Sequence, residues 1–464
     1  MLAKEIVRND RQRKSFDVYH ALLRNAFNRM HDVLKPNGYL TLTFHNPTFK
    51  VRNATIYAGV MAGFDLEKIH HQPLGQVSAK AMLQPFGSAQ GDFYLRFHNP
   101  SSTDSTVQRE EIDAARFERI VIETARRVLA ERGEPTPYTI LINAIDPELA
   151  RNGYFSELRS GLDVRAVLDS HLNEEFLLVP MLIGEVAGKG WWFREPGRIP
   201  HLESVPLSER VEQTVLRKLQ ERGRVTFTDM WKAISEEFPN ALTTDSTSIR
   251  EALESYARQV GHGEWMLKPE YNREAITRSH TRMIAILAEV GKAQGYEIWI
   301  GRREQSDPLA EAFAGREGEL RQYLTRSSLV GLINGQNIEE VEWIDAIWLE
   351  GNIVRAAFEI ESTTSMTEAL KRGSNIEAGV PKYLVLPQER EDQLLRKLRS
   401  PLFSEYFEKD SWKCLFFEAL ERAYQKEKAA LDITTLVAKK VAKTSKNTSQ
   451  LSLFASDQTR DEDS

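Results

Sequence analysis

Residues Val341–Arg372 read VEWIDAIWLEGNIVRAAFEIESTTSMTEALKR. The β-branched and aromatic run Val341–Leu349 predicts a strand, and Gly351-Asn352 is a turn signal. Ile353–Glu361 reads as the return strand, and Met366–Arg372 opens a helix. Three carboxylates, Asp345, Glu359 and Glu361, stand inside these apolar strands. Burying a carboxylate costs several kcal/mol unless it is paired or coordinates a metal. Strand alternation puts Glu359 and Glu361 on one face and sends Phe358 and Ile360 to the other, into the expected core. A three-residue loop, Gly351–Ile353, places Asp345 opposite Glu359 on the same face. A two-residue loop places it on the other.

Oxygen ligands on one strand face suit Mg²⁺, a hard cation that usually keeps several waters. Such an ion activates water and neutralises charge on a phosphate. An Asp on one strand followed by Glu-x-Glu on the next resembles the active-site pattern of the PD-(D/E)xK nucleases, in the variant some restriction endonucleases carry. The resemblance implies that Asp345 and Glu359 are metal ligands and that Glu361 is a catalytic residue where Lys is usual. Lys371 or Arg372 on the following helix would then supply the missing cation, Lys371 as a catalytic residue and Arg372 against DNA. The plain alternative is an acidic hairpin edge that keeps the sheet soluble. Around the hairpin, Asn272–Val290 predicts a long helix, Tyr296–Ile300 a strand and Lys382–Leu386 a further strand, the order in which such domains run. His280 and Glu289 on the long helix could approach the site; the plain alternative is a histidine that is merely packed or solvated. Glu391–Arg399 and Trp412–Lys428 read as closing helices.

A chain of 464 residues has room for about three domains. Hydrophobic content of 41% and charged content of 28% are ordinary for a soluble globular protein. The single cysteine, Cys414, excludes a disulfide framework and fits a reducing cytoplasm. No apolar run approaches the roughly 20 residues needed to span a bilayer. Lys4, Glu5, Arg8 and Asp10 follow Met1, which is unlike a signal peptide. The expectation is a cytoplasmic protein with no membrane partner. The net charge of −6 announces no nucleic acid globally, so DNA has to be held by local basic patches.

Ser15–Leu34 has helical spacing and stops at the turn Lys35-Pro36-Asn37-Gly38. Strand Tyr39–Phe44, helix Val51–Gly63 and strands Leu66–His70 and Asp92–Phe97 are expected next. The stretch Val33–Leu40, with Gly63-Phe64 further on, resembles the second half of the Rossmann-like fold of S-adenosylmethionine-dependent DNA methyltransferases. That family's glycine-rich cofactor loop is missing, and so is its Pro-Pro motif for the flipped base. Asn46-Pro47-Thr48-Phe49 is the nearest match and reads as a loop. S-adenosylmethionine is therefore expected only if an upstream methyltransferase polypeptide completes the lobe.

Ser101–Thr106 reads as a polar linker, Val107–Arg132 as a helix, Tyr138–Ile145 as a strand, Glu157–Leu178 as mixed helix and Phe176–Ile183 as an apolar run. Trp191-Trp192 reads as packing rather than as a platform for bases. Leu207–Lys268 has the layout of a winged helix. Ser208, Thr228 and Asp245 or Ser246 are its expected helix caps, and a hairpin is bracketed by Gly261 and Gly263. The third helix of such folds often enters the major groove, which makes Thr247, Ser248 and Arg250 candidate DNA contacts. Glu251 and Glu254 oppose phosphate, so a purely structural winged helix is the alternative. The tail from Val437 is expected to be disordered. Within it Gln450, Leu451, Leu453 and Phe454 resemble the bacterial sliding-clamp-binding motif; the alternative is a strand folded back on the nuclease-like domain.

The expected fold class is α/β and multidomain. Residues 1–105 are a partial Rossmann-like methyltransferase lobe and 106–206 a helical connector. Residues 207–270 are a winged helix, 271–432 a restriction-endonuclease-like α/β domain, and 433–464 a tail. The expected function is a DNA-binding component of a bacterial restriction–modification or phage-defence system, with a candidate Mg²⁺-dependent endonuclease domain. The alternatives are a non-catalytic DNA-binding or methylase-partner subunit, and the downstream half of a split DNA methyltransferase.

Overall fold

The computed structural model describes residues 6, 15–44, 49–72, 92–100, 113–152, 154, 162–183, 186–242, 244, 246–261, 263–363, 366–398, 403, 407–426, 431–438 and 441. The chain divides into two compact units. One is Met1–Val179 with Ile183–Glu203 and Trp231–Ile249, and the other is Pro180–Leu182 with Ser204–Met230 and Arg250–Ser464. Among the described residues no helix is long and apolar enough to cross a membrane.

In the first unit Ser15 caps α1 (Phe16–Val33) by accepting from the Val18 N–H. Asn37 then takes a left-handed conformation, φ 61°, in the turn that leads to β1 (Tyr39–Phe44). Helix α2 (Phe49–Met61) and strands β2 (Asp65–Gln72) and β3 (Asp92–His98) complete a three-stranded sheet of order β1-β3-β2, antiparallel throughout. Its core is aromatic: Phe27, Phe64, Phe93 and Phe97 are buried together. Asp113 caps α3 (Ala114–Arg132), and Gly133, at φ 64°, closes it. The segment read as a strand, Tyr138–Ile145, is instead the start of helix α4 (Tyr138–Arg151). Leu141, Ile145 and Leu149 recur every four residues and are all buried, and that spacing overrides the β-branched composition. Buried Arg52 of α2 is ion-paired to Asp146 of α4. Within 157–178 the described helix is α5 (Val164–Ser170). Strands β4 (Phe176–Ile183) and β5 (Val186–Phe193) form a two-stranded sheet. Trp191 and Trp192 are buried, with Trp191 edge-on to Phe176 and beneath the Arg165 guanidinium.

Helix α6 (Leu207–Arg222), strand β6 (Arg224–Thr226), helices α7 (Phe227–Glu237) and α8 (Ser246–Tyr256), and strands β7 (Ala257–Val260) and β8 (Glu264–Leu267) follow. The three strands form a sheet of order β6-β8-β7. Two expected caps are replaced. Pro206 precedes α6 with no side-chain cap, and Thr226 rather than Thr228 accepts the Asp229 N–H at the start of α7.

Asn272 caps α9 (Arg273–Ala293), which leads into a five-stranded sheet of order β13-β12-β11-β10-β9. Its strands are β9 (Glu297–Ile300), β10 (Ala346–Glu350), β11 (Ile353–Ile360), β12 (Lys382–Leu386) and β13 (Trp412–Phe416). Helices α10 (Met366–Gly373), α11 (Glu391–Lys397) and α12 (Phe417–Lys426) alternate with the later strands. Two readings are corrected. Val341–Ile344 is not strand: Ile338–Val341 is a helical turn, and Val341 and Ile344 are buried beside Ile347. Trp412–Phe416 is a strand parallel to β12, not part of a closing helix, and its apolar run reflects burial on both faces.

The hairpin register combines two features. Glu350 pairs with Ile353, so the loop has two residues. Farther from the turn Trp348 pairs with Ala356 while Leu349 pairs with Val354, which leaves Arg355 as an extra residue in β11. This bulge switches parity. Val354 and Ala357 face one cluster, whereas Ala356, Phe358 and Ile360 face the α9 side. Ala346 therefore pairs with Phe358, and that register carried one position outward would set Asp345 against Glu359. A two-residue loop plus a bulge gives the arrangement expected of a three-residue loop.

Helix α9 sits close to the sheet because Gly291 has no side chain. A Cβ there would stand 2.5 Å from Trp348 Nε1 and 2.6 Å from Ile298 Cδ1. Helix propensity alone favours Gly291→Ala by about 1 kcal/mol. Packing opposes it, and the expected net result is a loss of about 1–3 kcal/mol in urea denaturation. An unchanged or raised midpoint contradicts this packing.

Candidate active site

The sheet gathers its charged side chains where β10 begins and β11 ends. Asp345 lies just before β10 and is 2% exposed. Its Oδ2 accepts the Ile360 N–H at 2.7 Å and lies 3.3 Å from His280 Nε2 on α9. Its Oδ1 is buried and has no hydrogen-bond partner among the described residues. Glu359, fully buried, is held by the Arg372 fork, with Nε donating to Oε1 at 2.8 Å and Nη2 to Oε2 at 2.5 Å. Arg372 also lies 3.8 Å from Glu361. The Glu361 carbonyl accepts from buried Arg390 at 3.0 Å. A fourth carboxylate joins from the turn after β9. Glu304, 3% exposed, accepts from Arg303 Nε at 2.8 Å through Oε1, and its Oε2 is buried without a partner among the described residues.

Burial and crowding set the charges. Burial pushes Glu359 well above the usual carboxylate range, with Asp345 adding and the Arg372 fork opposing. Burial and Asp345 likewise push Glu361 up to about 7 and raise Glu304. Asp345 goes the other way. Burial pushes it up, but His280, the Ile360 N–H and Arg372 together hold it below its ordinary value. For His280 burial favours the neutral ring, and Asp345 overrides it and lifts the imidazole to about 9. At neutral pH the cluster is an ionised Asp345 between two cations, His280 and Arg372, with Glu361 near its midpoint.

Asp345, Glu359 and Glu361 are thus close together, with His280 and Arg372 among them. Lys371 is exposed and donates its amine to the Ser204 carbonyl, so Arg372 is the cation that lies on Glu359. Glu289 is engaged elsewhere, with Arg316, Tyr323 and Tyr424. Thr247 and Ser248 lie in the first turn of α8, and exposed Arg250 stacks its guanidinium over Phe227 at 4.8 Å. Gln450, Leu451, Leu453 and Phe454 lie outside the described residues, as do Asn46 to Thr48. Sequence reasoning missed Glu304 and Arg390. The signal for Glu304 was an acidic residue four positions beyond the strand Glu297–Ile300, amid arginines.

Among the described residues no group of three or more His, Cys, Asp or Glu side chains is set to hold a metal ion. The cluster does have two orphaned carboxylate oxygens, on Asp345 and Glu304. That is a fit for Mg²⁺, which takes one or two carboxylates and keeps several waters.

The sheet that carries this cluster lies within a segment similar to a restriction–modification enzyme domain. Residues 266–440 match the family model of the Type II restriction enzyme NmeDI C-terminal domain. No curated protein matches the chain, and no solved structure matches it.

The Glu361 shift gives stability a pH signature. A carboxyl with a raised folded-state value stabilises the fold while protonated. That contribution is present below the ordinary value and is lost as pH rises towards about 7. In EDTA, wild type is expected to lose up to about 3 kcal/mol relative to Glu361→Gln between pH 4.5 and 8 in urea denaturation. Parallel curves for the two proteins contradict a buried, proton-holding Glu361.

Proposed function

We propose that this chain is a DNA-acting component of a restriction–modification system and that the 266–440 segment is a metal-dependent DNA endonuclease domain of the PD-(D/E)xK kind in its Glu-x-Glu form. The observation that carries the reading is the buried cluster of Asp345, Glu359 and Glu361 at adjoining strand ends, within the segment that matches a restriction-enzyme model. A bound Mg²⁺ would supply a Lewis acid for the scissile phosphate and an acidified water. The chain's own residues do the rest. Asp345 offers Oδ1 to the ion, while Oδ2 is fixed by Ile360 and His280. Arg372 holds Glu359 and puts a positive charge where a phosphate would lie. Glu361, near its midpoint at neutral pH, takes the proton of the attacking water. Arg390 fixes the backbone at Glu361.

The segment 207–270 is read as a winged helix that brings Thr247, Ser248 and Arg250 to DNA. The first hundred residues are read as a methyltransferase-like lobe without its cofactor loop. A second reading has support of its own. Both oxygens of Glu359 are taken by Arg372, as in a charge-balanced structural cluster. In that reading the chain is a non-catalytic DNA-binding or methylase-partner subunit.

Supercoiled plasmid and unmodified phage DNA, incubated with the protein with and without Mg²⁺, separate the two. Mg²⁺-dependent nicking or cutting is expected, falling to background in Glu359→Ala. Cleavage that persists in EDTA or in the variant contradicts the endonuclease reading, and DNA binding without cleavage favours the second. For the methyltransferase-like lobe, calorimetry is expected to detect no S-adenosylmethionine binding to this chain alone, and micromolar affinity contradicts that reading.

A further inference from the structure

We propose that Glu304 is a metal ligand, with one divalent cation of the Mg²⁺/Mn²⁺ class held between Asp345 Oδ1 and Glu304 Oε2. The inference rests on the metal-dependent reading above and changes the identity of the second carboxylate. A ligand oxygen needs a lone pair facing the ion. Each Glu359 oxygen already accepts from the Arg372 guanidinium, so an ion there would have to compete with a positive charge for the same carboxylate. Asp345 Oδ2 is likewise committed, to the Ile360 N–H and His280. The buried carboxylate oxygens without a hydrogen-bond partner among the described residues are Asp345 Oδ1 and Glu304 Oε2. Both side chains are more than nine-tenths buried. A buried carboxylate oxygen without a donor is costly to leave so, and a cation removes that cost.

The backbone is arranged to bring the two carboxylates together. A Cβ on Gly301 would stand 2.4 Å from Glu304 Oε2, 3.1 Å from the Ile344 carbonyl oxygen and 3.4 Å from Asp345 Cα. Glu304 therefore folds back over a glycine towards Asp345, into space that any side chain at 301 would fill. The Gly301 N–H donates to the Asp345 carbonyl at 3.1 Å, and the Glu304 N–H to the Gly301 carbonyl at 3.1 Å, so two backbone hydrogen bonds link the pair. Arg303 on Oε1 orients the carboxylate and leaves Oε2 free for the ion. A site built of carboxylate oxygens favours a hard, oxygen-seeking cation that keeps its remaining waters.

The test is Mn²⁺ binding to the full chain without DNA, followed by the electron paramagnetic resonance signal of free Mn²⁺ and by calorimetry. Wild type is expected to take up one Mn²⁺, and Glu304→Gln to bind it at least tenfold more weakly while melting no lower than wild type in EDTA. Gly301→Ala, which displaces the same oxygen and leaves the carboxylate present, is expected to weaken binding severalfold. It carries the test if the glutamine variant does not fold. Glu304→Gln or Gly301→Ala binding as tightly as wild type overturns Glu304 as a ligand and leaves the endonuclease reading standing. Wild type that takes up no Mn²⁺ overturns both.

Discussion

Arg355 stands outside the ladder between β10 and β11, and the acidic cluster depends on that extra residue. Side chains alternate along a strand, so one residue of slippage exchanges core and surface along the rest of it. The tight Gly351-Asn352 turn by itself would set Asp345 against Phe358. The bulge restores the other parity. As a result Asp345 faces Glu359, and the Asp345 carboxylate caps the Ile360 N–H at the end of β11. Phe358 and Ile360 still fill the core around Trp348 and Tyr383.

A cluster of four buried carboxylates survives because cations were recruited from three separate elements. His280 comes from α9, Arg372 from α10, and Arg303 from the turn that carries Glu304. Removing water from so many charges is unfavourable unless each finds a partner, and single deletions from such networks are far more damaging than their size suggests. A second polar layer lies behind it. Arg390 binds both the Glu361 carbonyl and Gln393, and Gln393 reaches Glu212 and the Tyr256 hydroxyl. Lys397 and Thr367 close on the buried Glu209 of α6. The helix that begins the 207–270 segment is thereby tied by hydrogen bonds to the strand end that carries Glu361. Site geometry and the placement of α6 share one network.

Much of this was legible in the chain. Periodicity located α1, α9, β9, β11 and β12 nearly to their ends, because long amphipathic helices and short apolar strands bounded by turns carry unambiguous spacing. Carboxylates within an apolar hairpin marked the site for the same reason that they are costly. Four things were not legible. Tyr138–Arg151 has a composition suited to a strand and a spacing suited to a helix, and packing decided in favour of the spacing. Trp412–Phe416 runs directly into α12 without a turn signal, so nothing local marks where the strand stops. Glu304 and Arg390 act through contacts far along the chain, and a lone acidic residue among arginines does not single out such a partner. The register itself was open until the bulge was seen, since loop length alone does not fix which face Asp345 takes.

The most direct test of the account is crystallographic. Crystals of the wild-type protein soaked in Mn²⁺ and measured at the manganese absorption edge report both the register and the ion. The expected result is one anomalous peak about 2 Å from Asp345 Oδ1, with Asp345 and Glu359 on the same face of the sheet. Density that sets Asp345 opposite Phe358 rather than Glu359, or a map without manganese at Asp345, contradicts it.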